Sequence, residues 1–269
     1  MSFRRWLTYK TRVWLQNHLQ TQTVNVRGVP IRMMASDMND LWRASNFSTK
    51  EPETLNWIDT FTDGKSLFID VGAHIGQYSL YAAKKNHCAV IAIEPDPINY
   101  AKLTQNIDLN DLRLRDRFSE PGVITPLHAM FSDASPTTEY LDLVELINCR
   151  ICGAERSSVE LVTQINLNQF SHDPAVCEVS KILFQTGTKL FDEIHIKIDV
   201  EDGTASTLRA IRTLLEWKGV RSLMIEMGLD QPLQDGTSIR QYLGGLDFRM
   251  VNAMRIPNSK EYNCIFIRS

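Results

Sequence analysis

Short apolar runs alternate with segments of helical periodicity over most of this chain. The apolar runs predict strands near 66–71, 88–93, 123–130, 194–199 and 221–226, and the segments between them predict helices near 75–85, 96–108, 204–216 and 237–244. This alternation is typical of a mostly parallel, doubly wound α/β sheet. Two further apolar runs, at 248–251 and 263–267, lie close enough together to predict an antiparallel hairpin at the edge of that sheet.

The N-terminal part of the chain has a different pattern. Residues 1–20 predict a helix, 23–33 predict a hairpin around Gly28, and 41–61 predict helix and connection. A long stretch between Ser135 and Phe191 exceeds what a crossover between strands requires, so we expect an insertion at the mouth of the site. The predicted division is an extension over 1–62 and a domain over 63–269, with the insertion at about 136–190.

Composition narrows the class of protein. The net charge of -3 over 269 residues gives no nucleic-acid footprint, and no apolar run reaches the roughly 18 residues of a membrane span. The basic, aromatic N-terminus lacks the features of a signal peptide, and it predicts either an amphipathic helix packed on the domain or a membrane-surface anchor. Five scattered cysteines favour reduced thiols and a cytoplasmic location. The sequence does not identify an oligomeric state.

The first strand of the predicted sheet leads into a glycine turn and then a helix. Gly72 and Gly76 lack side chains, so a ligand can approach the backbone closely, and free amides at the helix start suit an anion. The turn matches neither the phosphate-cradling loop nor the dinucleotide fingerprint. Glu94 ends the next strand, where a carboxylate can bind a ribose diol. These features favour a nucleoside ligand with a carboxylate and no pyrophosphate, and S-adenosylmethionine fits that description.

Two more segments carry candidate chemistry. Ser132 and Asp133 follow the third strand, where they form either the contact to an adenine edge or a helix-capping turn. In the fourth strand His195, Lys197 and Asp199 share one face, which is unusual because a central parallel strand is normally apolar on both faces. This row is either a catalytic site beside the cofactor or a buried Lys–Asp pair that supports structure. His195 is the farthest from the strand end, and we expect it to be structural.

A cysteine pair, Cys149 and Cys152, resembles half of a zinc site that His172 and Cys177 would complete. The spacing of the second half is irregular. Structural zinc and unliganded thiols therefore both stay open as interpretations.

Three runs together resemble one known family. They are F-I-D-V-G-A-H-I-G-Q-Y-S-L (68–80), I-E-P-D-P (93–97) and I-K-I-D-V-E-D-G (196–203). In this order they resemble the FkbM-type methyltransferases, which are class I S-adenosylmethionine-dependent enzymes with a Rossmann-like fold. The segment Glu51–Thr54 and the pair Ile225–Glu226 are also similar to that family, and the resemblance extends over roughly residues 23 to 267.

The resemblance implies roles for particular residues. The residues implied around the methionine end of the cofactor are Asp70, Gly72, His74, Gly76, Gln77 and Tyr78. Glu94 is implied to hold the ribose hydroxyls, and Ser132 and Asp133 to flank the adenine. Lys197, Asp199 and Glu201 would stand where the methyl group is delivered.

Two positions depart from the family pattern. His74 stands where the family usually has Asn, and Asp202 intervenes between Glu201 and Gly203, with no clear counterpart of the Glu that usually follows that glycine. The turn after the fourth strand is therefore altered.

The expected function is methylation of a hydroxyl on a small molecule or sugar. Asp199 is the first candidate for the base and Glu201 the second, with Lys197 orienting a carboxylate or substrate oxygen. The alternatives are a catalytically silent cofactor-binding or partner protein that retains the fold, and a methyltransferase acting on protein or nucleic acid. The spacing indicates no metal, although Asp199, Glu201 or Glu226 could hold a divalent ion.

Overall fold

The structure is a computed structural model that describes residues 21–113, 122–131, 163–165, 191–201, 203–233, 235–257 and 259–269. The strands are β1 (Thr21–Val26), β2 (Val29–Met34), β3 (Ser66–Val71), β4 (Ala89–Ile93), β5 (Ile124–Leu127), β6 (Ala129–Phe131), β7 (Thr163–Ile165), β8 (Glu193–Ile198), β9 (Val220–Met227), β10 (Phe248–Arg255) and β11 (Tyr262–Arg268). The helices are α1 (Met38–Ser45), α2 (Phe47–Lys50), α3 (Pro52–Ile58), α4 (Gln77–Lys85), α5 (Pro97–Leu109), α6 (Thr204–Ala210), α7 (Arg212–Glu216) and α8 (Ile239–Gly244).

Seven strands form the main sheet in the order β10-β11-β9-β8-β3-β4-β5. The five strands from β9 to β5 are mutually parallel, and β11 and β10 pair antiparallel at the other edge. The central strands are rich in Val and Ile, as expected for strands covered by helices on both faces. The predicted fold class is thus confirmed: a mostly parallel α/β sheet with an antiparallel C-terminal edge hairpin, preceded by the antiparallel β1–β2 hairpin.

The two faces of the sheet pack against different parts of the chain. Residues such as Ile69, Ile196 and Ile225 belong to a core that includes α6, α7 and α8. Residues such as Phe68, Ala92 and Met224 belong to a second core, which includes the β1–β2 hairpin and helices α1 to α5. The segment before β3 therefore covers this face of the sheet together with α4 and α5. That face also carries the ionisable residues described below.

The predicted strand over 123–130 is wrong as a single element. The last residue pair between β4 and β5 is Ile93 with Leu127, so β4 offers no partner farther along. The strand is interrupted at His128, whose Nε2 lies 2.9 Å from the Pro95 carbonyl oxygen. After this residue, β6 pairs with β7 in a separate two-stranded sheet.

The predicted helix over 204–216 is also divided, into α6 and α7. Ile211 lies between them with non-helical dihedral angles and a fully buried side chain. Burial of that side chain in the core therefore coincides with the break.

Several sequence-based expectations lie outside the described residues. They are the helix over 1–20, all but 163–165 of the insertion over about 136–190, and the cysteine pair with its two partner candidates. Across the described ranges, no helix has the length and apolar character needed to cross a membrane.

Candidate active site

The glycine turn between β3 and α4 closes against its neighbours through backbone contacts. The N–H groups of Gly72 and Ala73 both donate to the carbonyl oxygen of Ile93, at 2.9 and 3.0 Å. Gly72 has a φ of 82°, and a Cβ atom there would lie 1.8 Å from the backbone oxygen of Asp199. Only glycine satisfies both conditions at this position.

The end of the same turn forms the start of α4. Gly76 has a φ of 86°, and a Cβ atom there would lie 2.4 Å from a methyl carbon of Leu103 on α5. Its carbonyl oxygen accepts the first helical hydrogen bond, from Leu80 at 2.8 Å. The turn is thus held between β4, β8 and α5.

Glu94 directly follows β4, and its carboxylate accepts hydrogen bonds from backbone amides of the glycine turn and of the segment before α5. One carboxylate oxygen accepts from the backbone N–H of His74 at 2.7 Å, and the other accepts from that of Asp96 at 3.0 Å. Burial raises the pKa of Glu94, and these two amides offset only part of that effect. Glu94 therefore links the glycine turn to the start of α5.

His74 sits in this turn in the left-handed conformation, with a φ of 51°. Burial, together with the positive charges of Arg43 and Lys50, lowers the pKa of its imidazole to about 4. The ring is therefore neutral at pH 7. Its Nδ1 atom is buried and has no hydrogen-bond partner among the described residues.

Lys197 is the central charge of the site. It is paired in register with Asp70 on β3, and its side chain is 2% exposed. Its Nζ donates to Oδ2 of Asp199 at 2.6 Å. Burial lowers the pKa of Lys197, but attraction by Asp199, Asp70 and Glu51 outweighs burial, so the net pKa lies above its ordinary value.

Asp199 follows β8 directly, and its backbone N–H donates to the Val71 carbonyl oxygen at 3.0 Å. Burial raises the pKa of its carboxyl group, but Lys197 outweighs burial and holds that pKa below its ordinary value. Asp199 is therefore an ionised carboxylate at neutral pH. Its side chain is 32% exposed, so it is accessible to a ligand.

Asp70 is buried at the end of β3. Oδ2 accepts from the Ser79 hydroxyl of α4 at 2.6 Å, whereas Oδ1 is buried without a partner among the described residues. Burial raises the pKa of Asp70 despite the nearby Lys197. One acceptor oxygen at the start of the glycine turn is thus unsatisfied by the described part of the protein.

The family comparison bears on this arrangement. A family model described as the methyltransferase FkbM domain matches residues 70–250, which run from the start of the glycine turn past β9. The chain belongs to the FkbM methyltransferase family. Among curated proteins, none matches this sequence.

Solved structures resemble this FkbM chain at low identity. TYW2 from M. jannaschii, solved in complex with AdoMet, is 12% identical with a TM-score of 0.43, and the match covers 93% of this chain and 87% of that one. Magnesium protoporphyrin IX methyltransferase from Synechocystis PCC 6803, solved with bound SAM, is 12% identical with a TM-score of 0.46, covering 85% and 82%. TrmK from M. capricolum, solved with S-adenosyl-homocysteine, is 9% identical with a TM-score of 0.40, covering 80% and 67%. A likeness at this level carries no information about the substrate of this chain.

Two residues of this FkbM protein join the site although they were not among the predicted site residues. Glu51, just before α3, is buried and accepts from the Thr54 hydroxyl at 3.1 Å. Burial raises the pKa of Glu51, but Lys197 and Lys50 outweigh it and the net pKa lies below its ordinary value. Its similarity to the family's lead-in segment was the only sequence signal for it.

The second addition is Glu226 on β9. Burial and the neighbouring Asp199 charge raise the pKa of Glu226 to about 8. Its register partner on β11 is Asn263, whose side-chain amide donates to Glu53 at 2.8 Å. An acid that directly follows the apolar run 223–225 was a usable sequence signal. In the structure Met224 and Glu226 lie on the face that carries Lys197.

The other predicted site residues differ in their burial and in their contacts with the site. Tyr78 is buried, with its ring centroid 5.2 Å from Nζ of Lys197, and burial and Glu51 raise the pKa of its hydroxyl. Gln77 donates to the Arg43 carbonyl oxygen at 3.1 Å. Glu201 is exposed in the turn after Asp199. Ser132 and Asp133 lie outside the described residues.

His195 lies toward the opposite end of β8, away from this site. Its Nδ1 is 2.7 Å from the Ser222 hydroxyl, which also accepts from the Trp57 indole N–H at 2.8 Å. The Phe61 ring stacks on the imidazole with centroids 3.8 Å apart. These contacts join α3 to the sheet, consistent with the structural role expected for His195.

Across the described ranges, no group of three or more His, Cys, Asp or Glu side chains has an arrangement that could hold a metal ion.

Proposed function

We propose that this protein transfers the methyl group of S-adenosylmethionine to a hydroxyl group of a small molecule or sugar. The observation that carries the proposal is the contact between Gly72 and Asp199. This backbone contact joins the glycine turn to the segment that carries Asp199, an ionised carboxylate, in a chain that belongs to a methyltransferase family. A base next to the methyl donor is what O-methylation requires, because an alcohol is a weak nucleophile at neutral pH.

The residues present fit the cofactor. The space beside Gly72 and Gly76 is filled by Asp199 and Leu103, so the expected ligand approach at these glycines is not what supports the fit. The support comes from two buried atoms without a partner among the described residues, Oδ1 of Asp70 and Nδ1 of His74. The residues proposed to surround the methionine end are Asp70, Gly72, His74, Gly76, Gln77 and Tyr78. Glu94 is proposed to bind the ribose hydroxyls, with Ser132 and Asp133 beside the adenine.

S-adenosylmethionine, when bound, supplies a methyl group on a positively charged sulfur, and this group is open to in-line attack. Asp199 would accept the proton that the acceptor hydroxyl loses on methylation. Lys197 holds the Asp199 carboxylate in place through the 2.6 Å hydrogen bond and orients an oxygen of the acceptor. Holding nucleophile and methyl group in line supplies much of the acceleration. The exposed Glu201 is the second candidate for the base.

The proposal is tested with methyl-labelled S-adenosylmethionine and metabolite extracts. The purified protein should label one or a few hydroxylated compounds, and Asp199→Asn should cut that turnover by about 100-fold or more while affinity for S-adenosylhomocysteine stays within a few-fold. Asp192→Asn is the matched control, because Asp192 is exposed and directly precedes the opposite end of β8.

Each outcome of this experiment has a distinct meaning. Unchanged turnover in Asp199→Asn would refute the assignment of the base. Binding of S-adenosylhomocysteine without labelling of any hydroxylated compound would favour the catalytically silent alternative. Label that appears on protein or nucleic acid instead would replace the proposed acceptor class.

A further inference from the structure

Asp199 and Glu226 occupy equivalent positions at the ends of adjacent parallel strands. Ile198 of β8 pairs in register with Ile225 of β9, so the next residue of each chain segment is a carboxylic acid. The same register pairs Lys197 with Met224, so Asp199 and Glu226 are neighbours on the face that carries Lys197. Two neighbouring carboxylates cannot both be ionised without strong repulsion, and one shared proton relieves it.

The surrounding charges decide which group keeps the proton. Lys197 donates directly to Asp199, and Lys50 also attracts the Asp199 charge. Glu226 is attracted by Lys197 but repelled by both Asp199 and Glu51. The negative charge is therefore more stable on Asp199, and the proton on Glu226.

The residues of β11 next to Glu226 also favour a negative charge on Asp199 and a proton on Glu226. Its register partner Asn263 is buried, and the Asn263 amide is already committed to the Glu53 carboxylate. Among the described residues, the charges that act most strongly on Glu226 are those of Asp199 and Lys197 from β8 and Glu51 from the segment before α3. Glu53 lies beyond Asn263.

We propose that Glu226 is a positioning residue: it carries a proton in the resting site and donates it in a hydrogen bond to Asp199. Lys197 and Glu226 then hold the Asp199 carboxylate from two strands, which fixes its orientation toward an acceptor. During transfer the acceptor proton goes to Asp199 and Glu226 keeps its own. This inference rests on the proposed function for its catalytic consequence, but the shared proton is a property of the protein alone.

The first test follows the proton without turnover. Protein labelled with 13C at the glutamate side-chain carboxyl carbon is titrated by NMR from pH 5 to about pH 10. One resonance should titrate near pH 8 and be missing in Glu226→Gln. The matched control is Glu94→Gln, because burial also raises the pKa of Glu94; the resonance should persist in that variant. If the high-pH resonance persists in Glu226→Gln, or if no glutamate titrates above its ordinary range, the inference is overturned.

The second test uses turnover of the labelled cofactor. Wild-type kcat should fall as the pH rises through about 8, because Glu226 loses the donated proton. Glu226→Gln keeps an N–H donor at every pH, so it should retain much of the neutral-pH kcat and lack the alkaline fall. Glu226→Leu, which has no donor, should lose 10-fold or more in kcat with little change in KM. An identical alkaline fall in Glu226→Gln would overturn the positioning role.

The two proposals fail in distinguishable ways. If no acceptor is methylated at all, the proposed function fails while the NMR titration still reports the shared proton. If methylation occurs but the NMR resonance near pH 8 is absent, only the inference about Glu226 fails.

Discussion

A Cβ atom at residue 72 would lie 1.8 Å from the backbone carbonyl oxygen of Asp199. The glycine turn and the end of β8 therefore meet at their backbones, with the Val200 side chain next to the contact. Any side chain at residue 72 would move either the turn or Asp199, and both are assigned to the proposed reaction.

Gly72→Ala should be strongly destabilising and should weaken binding of S-adenosylhomocysteine. A positive φ costs alanine about 1–2 kcal/mol, and the overlap with Asp199 adds a similar amount. The free energy of unfolding, measured with urea, should fall by about 2–4 kcal/mol. Calorimetry on protein that remains folded measures the loss of affinity.

Gly28→Ala is the matched control for that substitution. Gly28 has a φ of 87° but no atom within 4 Å of a built Cβ, so it isolates the backbone strain. It should cost only about 1–2 kcal/mol and leave cofactor affinity unchanged. Equal losses in both variants would show that the contact with Asp199 is unimportant.

Glu94→Ala should weaken S-adenosylhomocysteine binding by 10-fold or more. The substitution removes the carboxylate proposed to bind the ribose, and it also leaves the amides of His74 and Asp96 without their acceptor. Isothermal calorimetry measures the effect directly. The exposed Glu216→Ala serves as control, and an affinity for Glu94→Ala equal to that of the control would remove Glu94 from the cofactor site.

Lys197→Met should lower the free energy of unfolding by about 3 kcal/mol. Removing Lys197 leaves the Asp199 carboxylate without its positively charged partner, and breaking a buried ion pair in this way usually costs about 3–5 kcal/mol. We expect a loss at the lower end of this range because the Asp199 side chain is 32% exposed. Denaturant unfolding at pH 7 measures it. Lys65→Met removes an exposed partner of Asp192 and should change stability by less than about 1 kcal/mol. A similar small loss in Lys197→Met would mean that the buried lysine contributes little to stability.

His74→Asn should flatten the dependence of stability on pH in mildly acid solution. The pKa of His74 is lowered from 6.5 to about 4, so between these values the unfolded chain binds a proton that the folded protein does not. Wild-type stability should therefore fall as the pH drops from 6.5 to 4, and the variant should lose part of that slope. Burial also lowers the pKa of His195, so a residual slope of the same sign should remain.

His87→Asn is the matched control for this substitution. His87 has a φ of 49°, close to that of His74, but it is exposed. Asparagine tolerates the left-handed conformation at both positions. Urea unfolding midpoints at several pH values compare the two variants, and a slope in His74→Asn as steep as in His87→Asn would contradict the assignment.

The sequence predicted the parts of the site that depend on local pattern. Alternation along β8 placed Lys197 and Asp199 on one face, and the apolar runs located every strand of the main sheet. The break after Leu127 was not predictable, because it depends on where the neighbouring β4 ends. Pairing between strands is a long-range property that a single apolar run does not contain.

Glu51 and Glu226 illustrate why the rest of the site was missed. Glu51 precedes a proline at the start of a helix, a pattern that indicates only a helix start. Its burial results from the packing of α3 on the sheet face that carries Lys197. Glu226 was visible as an acid at the end of a buried strand, but its relation to Asp199 required the register between β8 and β9.

The buried Glu51 carboxylate interacts with Lys197 from outside the matched segment 70–250. The glycine turn and Glu51 therefore lie in separate parts of the sequence. Natural variation before α3 can therefore alter the electrostatic setting of Lys197 while the turn stays constant. A substitution at Glu51 can therefore change the charge around Lys197 independently of any change in the glycine turn.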